Sequence, residues 1–280
     1  MVEKTYKAIG VDLDETLLDT EKRISATNRA CIGQAREHNC RIIVCSGRAP
    51  AAMRRYIDEL GPWDKEDVYI ALNGCMMFKA ATHEAVEANF FPYEYAADFI
   101  EIARRNQSSL NLHLYRDDEY YVERRDETTD VYEARTGTEA KLVSDLHEVV
   151  DERLLKLVFI TKSPQGLRMV QNNIGSALPA EVKGFISSST KAPYLYEVVP
   201  SNINKGIAME RAVHRLSLGM EDVICIGDSY NDIPMIQRAG LGVAVANAED
   251  PIKESADYVT KRTNDQDAVT EVIKRFILVE

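Results

Sequence analysis

The two ends of this chain carry short, nearly continuous apolar runs, and each run stops at a cluster of polar residues. KAIGVDL leads into DETLLDTEKR, RIIVC into Ser46-Gly47-Arg48, VYIAL into Asn73-Gly74, and DVICI into GDSYND. Runs of this length without alternation fit strands buried on both faces, as in a parallel sheet with helices on each side. The intervening segments fit those helices. Ser25 can cap a helix reaching about Asn39, Pro50 opens another at its first position, and Asn204 can cap one from Lys205 to about Leu216. YNDIPMIQRA reads as a short helix with Pro234 early in it, LGVAV and DYVT as further strands, and a last helix begins near Asp267. Strand, helix, strand, helix, strand at both ends predicts pieces of one doubly wound α/β sheet.

Between these ends the pattern changes. VEANFF, LNLHLY, EYYVER, LLKLVFIT, VKGFIS and YLYEVV are strand candidates, several of them alternating apolar with polar residues. Alternation predicts an antiparallel sheet whose two faces differ, with helices over about residues 94–106 and 164–178 on one of them. RDDEYYVERRDETTD reads as a solvated surface. The expected architecture is a doubly wound, mainly parallel, Rossmann-like core from residues 1–84 and 194–280. An α+β cap domain of residues 85–193 is inserted into it, through linkers near residues 82–84 and 191–193.

Open parallel sheets bind ligands at the carboxyl ends of their strands. Asp12 and Asp14 follow the first strand, Ser46 the second, Asn73 the third, and Asp228, Asn231 and Asp232 the strand DVICI, with Lys205 opening the preceding helix. Any one of these aspartates alone reads as a strand-end residue or a helix cap. Together they form a chemical set. Asp12, Asp14 and Asp228 offer the hard oxygens that magnesium prefers. An ionised carboxylate can attack phosphorus, and a second can protonate the leaving oxygen and later activate water. Lys205, the Ser46 hydroxyl and backbone N–H groups at helix starts suit phosphoryl oxygens. Asn73-Gly74 reads equally as a turn and as a ligand contact.

DLDETLL, SGR, the lysine before Gly206, and GDSYND stand in the order of the four motifs of the haloacid dehalogenase superfamily, which the chain resembles over nearly its whole length. The large insertion between SGR and Lys205, together with LNG and EVVPSNINKG, is similar to the Cof-type phosphatase branch. The resemblance implies a magnesium-dependent phosphatase acting through an aspartyl-phosphate, with Asp12 as nucleophile and Asp14 as general acid/base. It implies magnesium held by Asp12, the Asp14 backbone carbonyl and Asp228, and phosphate held by Ser46, Gly47 and Lys205 with help from Asn231. Asp232 would orient Lys205, and Asn73 would support the site. Two positions depart from the pattern. Glu15 replaces the usual glycine after Asp14, where a left-handed backbone would be strained, and Asn204 replaces a small residue. Alternative readings are a phosphomutase of a related branch and a non-catalytic phospholigand sensor.

The expected partner is a small phosphorylated metabolite. A net charge of -11 disfavours nucleic acid and anionic membranes, so cations must act locally to bind a phosphate. No apolar stretch is long enough to span a bilayer, and the N-terminus lacks a secretory pattern. The five cysteines form no CxxC pair and read as buried free thiols, consistent with a cytoplasmic protein. Nothing in the sequence marks an oligomeric state. His113 and Tyr115, on an alternating strand of the insertion, are the candidates for substrate specificity there.

Overall fold

A computed structural model describes residues 5–188 and 192–278. The chain divides into two compact units, one of Met1–Gly47, Met53–Glu87 and Asn204–Glu280, the other of Arg48–Ala52 and Ala88–Ile203.

The first unit begins with β1 (Ala8–Val11), α1 (Ala26–Glu37), β2 (Arg41–Val44), α2 (Pro50–Leu60), β3 (Val68–Ala71), β4 (Met76–Lys79) and β5 (Ala85–Ala88). The second unit supplies α3 (Ala96–Arg105), β6 (Asn111–Arg116), β7 (Glu119–Val122), α4 (Glu127–Thr136), β8 (Ala140–Leu142), β9 (Leu154–Thr161), α5 (Pro164–Asn173), β10 (Val182–Ser188) and β11 (Tyr194–Pro200). The chain then returns with α6 (Lys205–Arg215), β12 (Val223–Gly227), α7 (Ile233–Ile236), β13 (Leu241–Ala244), α8 (Asp250–Glu254), β14 (Tyr258–Val259) and α9 (Ala268–Phe276).

The fold is α/β, with a doubly wound parallel sheet of order β14-β13-β12-β1-β2. β1 pairs in parallel with β12 on one side and β2 on the other, so segments distant in sequence meet at the middle of the sheet. All residues of β1 and β12 are buried. Each fully buried Ile, Val or Leu is worth roughly 1.5–3 kcal/mol, which pins the strands and fixes where their terminal loops emerge. Gly10 lets α6 approach β1, since a Cβ there would lie 2.5 Å from Met209 Cε. The helix starts form as the sequence indicates. The Ser25 side chain accepts from Asn28 N, and Asn204 Oδ1 accepts from Ile207 N at 2.8 Å.

β3 departs from expectation. It meets the parallel sheet through a single Cys45–Ile70 bridge and is the edge of an antiparallel sheet of order β3-β4-β5. MMFK is therefore a strand, and AVEA belongs to this sheet rather than to the insertion.

The second unit is a six-stranded sheet of order β10-β11-β9-β6-β7-β8, antiparallel except for the β7–β8 pair. Leu112, Leu114, Leu157, Phe159 and Val198 form a core with Phe99 and Ile100 of α3 and Leu167 and Val170 of α5. α4 lies in the stretch expected to be solvated surface. Its N-terminus is closed by Asp126, whose carboxylate accepts from Thr128 N and Thr129 N. Arg48 is buried and donates to the carbonyls of Thr136 and Arg135 at the end of α4.

The expected boundaries of the insertion, 85 and 193, need correction. β5 pairs with β4 in the first unit, while β11 pairs with β9 and β10, and the second unit comprises Ala88–Ile203 together with Arg48–Ala52. The stretch 82–84 is the turn joining β4 to β5, where Lys79 N donates to Glu84 O; Lys191 lies outside the described residues. The five cysteines are buried and free. Among the described residues no helix is long and apolar enough to cross a membrane.

Candidate active site

The carboxyl ends of β1, β2 and β12 bring most of the candidate residues together within the first unit. Asp12 leaves β1 with its N–H on Ile226 O at 3.0 Å and its side chain almost entirely buried. Lys205, also buried, donates to Asp12 Oδ1 at 2.5 Å and to Asp232 Oδ1 at 2.6 Å. The other Asp232 oxygen accepts from the N–H groups of Asp228 and Ser229, each at 3.0 Å. Gly227 makes this turn possible, because a Cβ there would meet Asp232 Cβ at 2.5 Å. Asp228 is held from the other side by Thr16 Oγ1 at 2.9 Å. Thr16 stands in the single helical turn Leu13–Leu17 that follows Asp12.

Asp12, Asp228 and Asp232 each bring a carboxylate oxygen within 4.8 Å of the others. One ammonium cannot neutralise three carboxylates. Burial, opposed by Lys205, pushes the Asp12 carboxyl up to about 7, and burial with the charges of Asp12 and Asp232 pushes Asp228 well above the usual range. Burial also disfavours the Lys205 ammonium, but Asp12 and Asp232 outweigh it and hold its pKa well above normal. This surplus of hard, negative oxygens fits a divalent cation. Asp232 is not free to bind one, since both its oxygens are engaged by Lys205 and two backbone N–H groups. Asp12 and Asp228 are the side chains left for the ion.

A second group adjoins this one. Ser46 is buried at the end of β2; its N–H bonds Ile70 O at 2.9 Å and its carbonyl accepts from Asn73 N at 3.0 Å. Asn73 sits in the turn between β3 and β4 with φ 58, and its Oδ1 accepts from Asn231 Nδ2 at 2.9 Å. The same side chain fills the space beside Gly47, where a Cβ would lie 3.1 Å from Asn73 Oδ1. Of the two readings of Asn73-Gly74, the structure shows the turn. The pair makes a turn, and the turn aligns the Ser46-Gly47 loop with Asn231.

Asp14 is partly exposed and pairs with Lys22 at 3.0 Å, as does Glu15. Glu15 has the left-handed backbone, φ 58, that its substitution for glycine makes strained. Sequence reasoning missed Lys22 and Thr16. Lys22 is one of several charged residues in DETLLDTEKR, and nothing in that spelling distinguishes it.

His113 and Tyr115 are not positioned to touch a substrate, which corrects their assignment. His113 is wholly buried and stacks on Tyr120, with centroids 4.9 Å apart; neither ring nitrogen has a hydrogen-bond partner. Tyr115 is buried, with its Oη 2.7 Å from Tyr132 Oη of α4 and the Lys156 ammonium 4.7 Å from its ring centroid. Lys156 in turn forms a buried 2.7 Å ion pair with Glu197. Alternation marked the face opposite the apolar core, and α4 covers that face.

This burial has a measurable consequence. Desolvation lowers the His113 pKa to about 3, against a weaker opposing influence of Asp126. Above its unfolded value near 6.5 the imidazole is neutral in both states. As pH falls from there towards 3, the unfolded chain binds a proton that the native unit refuses, so stability falls, by about 2 kcal/mol at pH 5. His113→Phe is expected to remove that part of the slope between pH 7 and 5 in urea unfolding followed by tyrosine fluorescence. Equal slopes for both proteins would show that His113 is hydrated or charged in the fold.

Comparison with known proteins bears on the whole chain. The family model for haloacid dehalogenase-like hydrolase matches residues 9–273. A putative phosphatase, YxeH, of Bacillus subtilis (strain 168) is 29% identical over 277 residues, covering 98% of this chain and 100% of the relative. The 5-amino-6-(5-phospho-D-ribitylamino)uracil phosphatase YcsE of the same organism is 29% identical over 272 residues, covering 97% of this chain and 96% of the relative. A solved haloacid dehalogenase-like hydrolase from Bacteroides thetaiotaomicron superposes with a TM-score of 0.84 at 30% identity, covering 97% of this chain and 99% of that one.

Proposed function

This chain belongs to the haloacid dehalogenase-like hydrolase family, and from that premise we propose that it is a magnesium-dependent phosphatase of small-metabolite phosphate monoesters, working through an aspartyl-phosphate on Asp12. The observation that carries the reading is the buried Lys205 ammonium, 2.5 Å from Asp12 within a cluster of carboxylates at the strand ends. A sensor has no use for a buried carboxylate that is expensive to ionise.

In the first step an Asp12 oxygen attacks phosphorus in line with the ester oxygen. A P–O bond forms to Asp12, the P–O bond to the leaving group breaks, and Asp14 gives that oxygen its proton. In the second step water attacks the same phosphorus, Asp14 takes its proton, and phosphate departs from a restored Asp12. Asp12, Asp228 and the Asp14 carbonyl would hold a divalent ion, which would supply positive charge favouring the ionised nucleophile and offsetting phosphoryl charge. Lys205 adds a fixed cation at Asp12, and Asp232 keeps it from folding away. The Ser46 hydroxyl, the Gly47 N–H and Asn231 would hold the phosphoryl oxygens. Because these positive groups act at one point, a net charge of -11 does not prevent anion binding.

The curated relatives' names include a phosphorylated ribityl-pyrimidine among their substrates, which supports a phosphorylated polyol or sugar-like compound as the substrate class. The inserted unit would provide the selection, since the core residues are committed to phosphate and metal. Phosphate release measured over a panel of sugar and polyol phosphates, without a bisphosphate activator, tests the reading; retention of the phosphoryl group would favour a mutase. Activity should require a divalent ion, with magnesium effective and calcium poor, because calcium takes more oxygens at longer distances. Full activity in excess chelator would remove the metal assignment.

A further inference from the structure

Lys22 is held too firmly to be an incidental surface cation. It lies in a hairpin closed by the Leu18–Ile24 antiparallel bridge, with Asp19 N on Arg23 O and Lys22 N on Asp19 O, each at 2.9 Å. Tyr56 Oη donates to Lys22 O at 2.9 Å. The hairpin is moored to the end of the chain through Thr20, whose N and Oγ1 bond the Asp265 carboxylate at 2.7 and 2.6 Å, and through Asn264 Nδ2 on Leu18 O at 2.9 Å. Lys22 has φ 60 and Glu15 φ 58, two left-handed residues with side chains facing each other across one salt bridge. Backbone of this kind is strained and persists where surrounding structure enforces it. Asn247 Nδ2 provides part of that enforcement, donating to Glu15 O at 2.7 Å.

We propose that Lys22 is a positioning residue for the acid/base step, holding the Asp14 carboxyl in the one rotamer that faces the leaving oxygen, while Glu15 braces its ammonium from the other side. The inference rests on the phosphatase reading. Proton transfer needs a carboxyl oxygen within hydrogen-bond reach of the ester oxygen, and later of water. A partly exposed aspartate without an anchor distributes over its χ1 wells. An ammonium at 3.0 Å selects one of them by a charge-assisted bond. The three side chains are 23, 25 and 32% exposed for Lys22, Asp14 and Glu15, shielded enough to keep the contact and open enough for a substrate to reach Asp14. Glu15, which departs from the glycine that the family resemblance implies, thereby gains a role in this chain.

The test uses the magnesium-loaded protein and the variants Lys22→Met, Lys22→Arg and Glu15→Gln, with the best alkyl phosphate from the panel and with p-nitrophenyl phosphate, whose leaving group needs no proton. Phosphoenzyme trapped from 32P-labelled substrate is followed alongside turnover. Lys22→Met should lower kcat for the alkyl phosphate about tenfold or more, with KM within about twofold. With p-nitrophenyl phosphate its first turnover should match wild type, and phosphoenzyme should then accumulate, because water activation is the step impaired. Lys22→Arg should regain most of the loss, and Glu15→Gln should fall between. Wild-type kcat in Lys22→Met would overturn the proposal. So would an equal loss in Lys22→Arg accompanied by a lowered Tm, which would make the role structural. A wild-type protein that forms no phosphoenzyme and releases no phosphate would overturn the phosphatase reading itself, and this assignment with it.

Discussion

Asp12→Asn is expected to cut phosphate release at least about a thousandfold, some 4 kcal/mol of transition-state stabilisation, while the protein still folds and binds substrate. The amide keeps the shape of the carboxylate but cannot form the acyl phosphate. Its effect on stability should run the other way. Burial and the carboxylates nearby place Asp12 at about 7, well above its ordinary range near 4. Such a group adds stability only below its unfolded pKa, and ionising it in the fold costs free energy as pH rises through the native value. At neutral pH in chelator, the variant should therefore unfold at a temperature no lower than wild type. Phosphate release and thermal unfolding check the two parts. Activity within tenfold of wild type would exclude the covalent route, and a markedly lower Tm would mean that the Lys205 pair outweighs the repulsion.

Lys205→Met should be equally severe for activity and, unlike Asp12→Asn, harmful to the fold. The ammonium is shared by Asp12 and Asp232, at 2.5 and 2.6 Å. Removing one member of a buried charge network typically costs about 3–5 kcal/mol, because the partners stay behind unpaired. Those carboxylates can recover part of the loss by taking up protons, and a protonated Asp12 is a poor nucleophile. Turnover should fall at least about a thousandfold, and by the same factor for every phosphomonoester tried, since Lys205 bonds the nucleophile and its brace and would otherwise meet the phosphoryl group that all these substrates share. Urea unfolding and a substrate panel measure both effects. A loss confined to certain substrates would show that Lys205 reaches beyond the phosphoryl group and would undo the separation of chemistry from selection.

Within the site, legibility followed the backbone. Asp12, Ser46 and Asp228 could be placed from sequence because each directly follows a strand that must be buried, and parallel strands present those ends along one edge. The pairing of Lys205 with Asp232 came from motif order and is met by the geometry. Lys22 could not be found this way. Its partners lie within eight residues of it in sequence, yet their meeting depends on two left-handed residues and on a hairpin moored to Asp265, hundreds of residues away. No local pattern encodes such a mooring.

What the sequence determined by itself is the parallel sheet and the edge that gathers the candidate site residues. Unbroken apolar runs have only one stable environment, a strand covered on both faces, and polar residues at their ends then have no choice of side. Ser25 and Asn204 likewise act through bonds to residues three positions ahead, so local spelling sufficed for the helix starts. Tertiary structure decided the rest. Alternation along LNLHLY states that its two faces differ, but a period of two is the same whether the polar face meets water or a covering helix. α4 made that choice, closing over Tyr115 through Tyr132 and leaving His113 buried among aromatic rings. The limits of the inserted unit were decided the same way. β5 and β11 differ little in sequence character, and they fall in different units because of the strands that accept their backbone hydrogen bonds. Pairing is a long-range event, and a strand's own residues specify that it will pair without specifying with what.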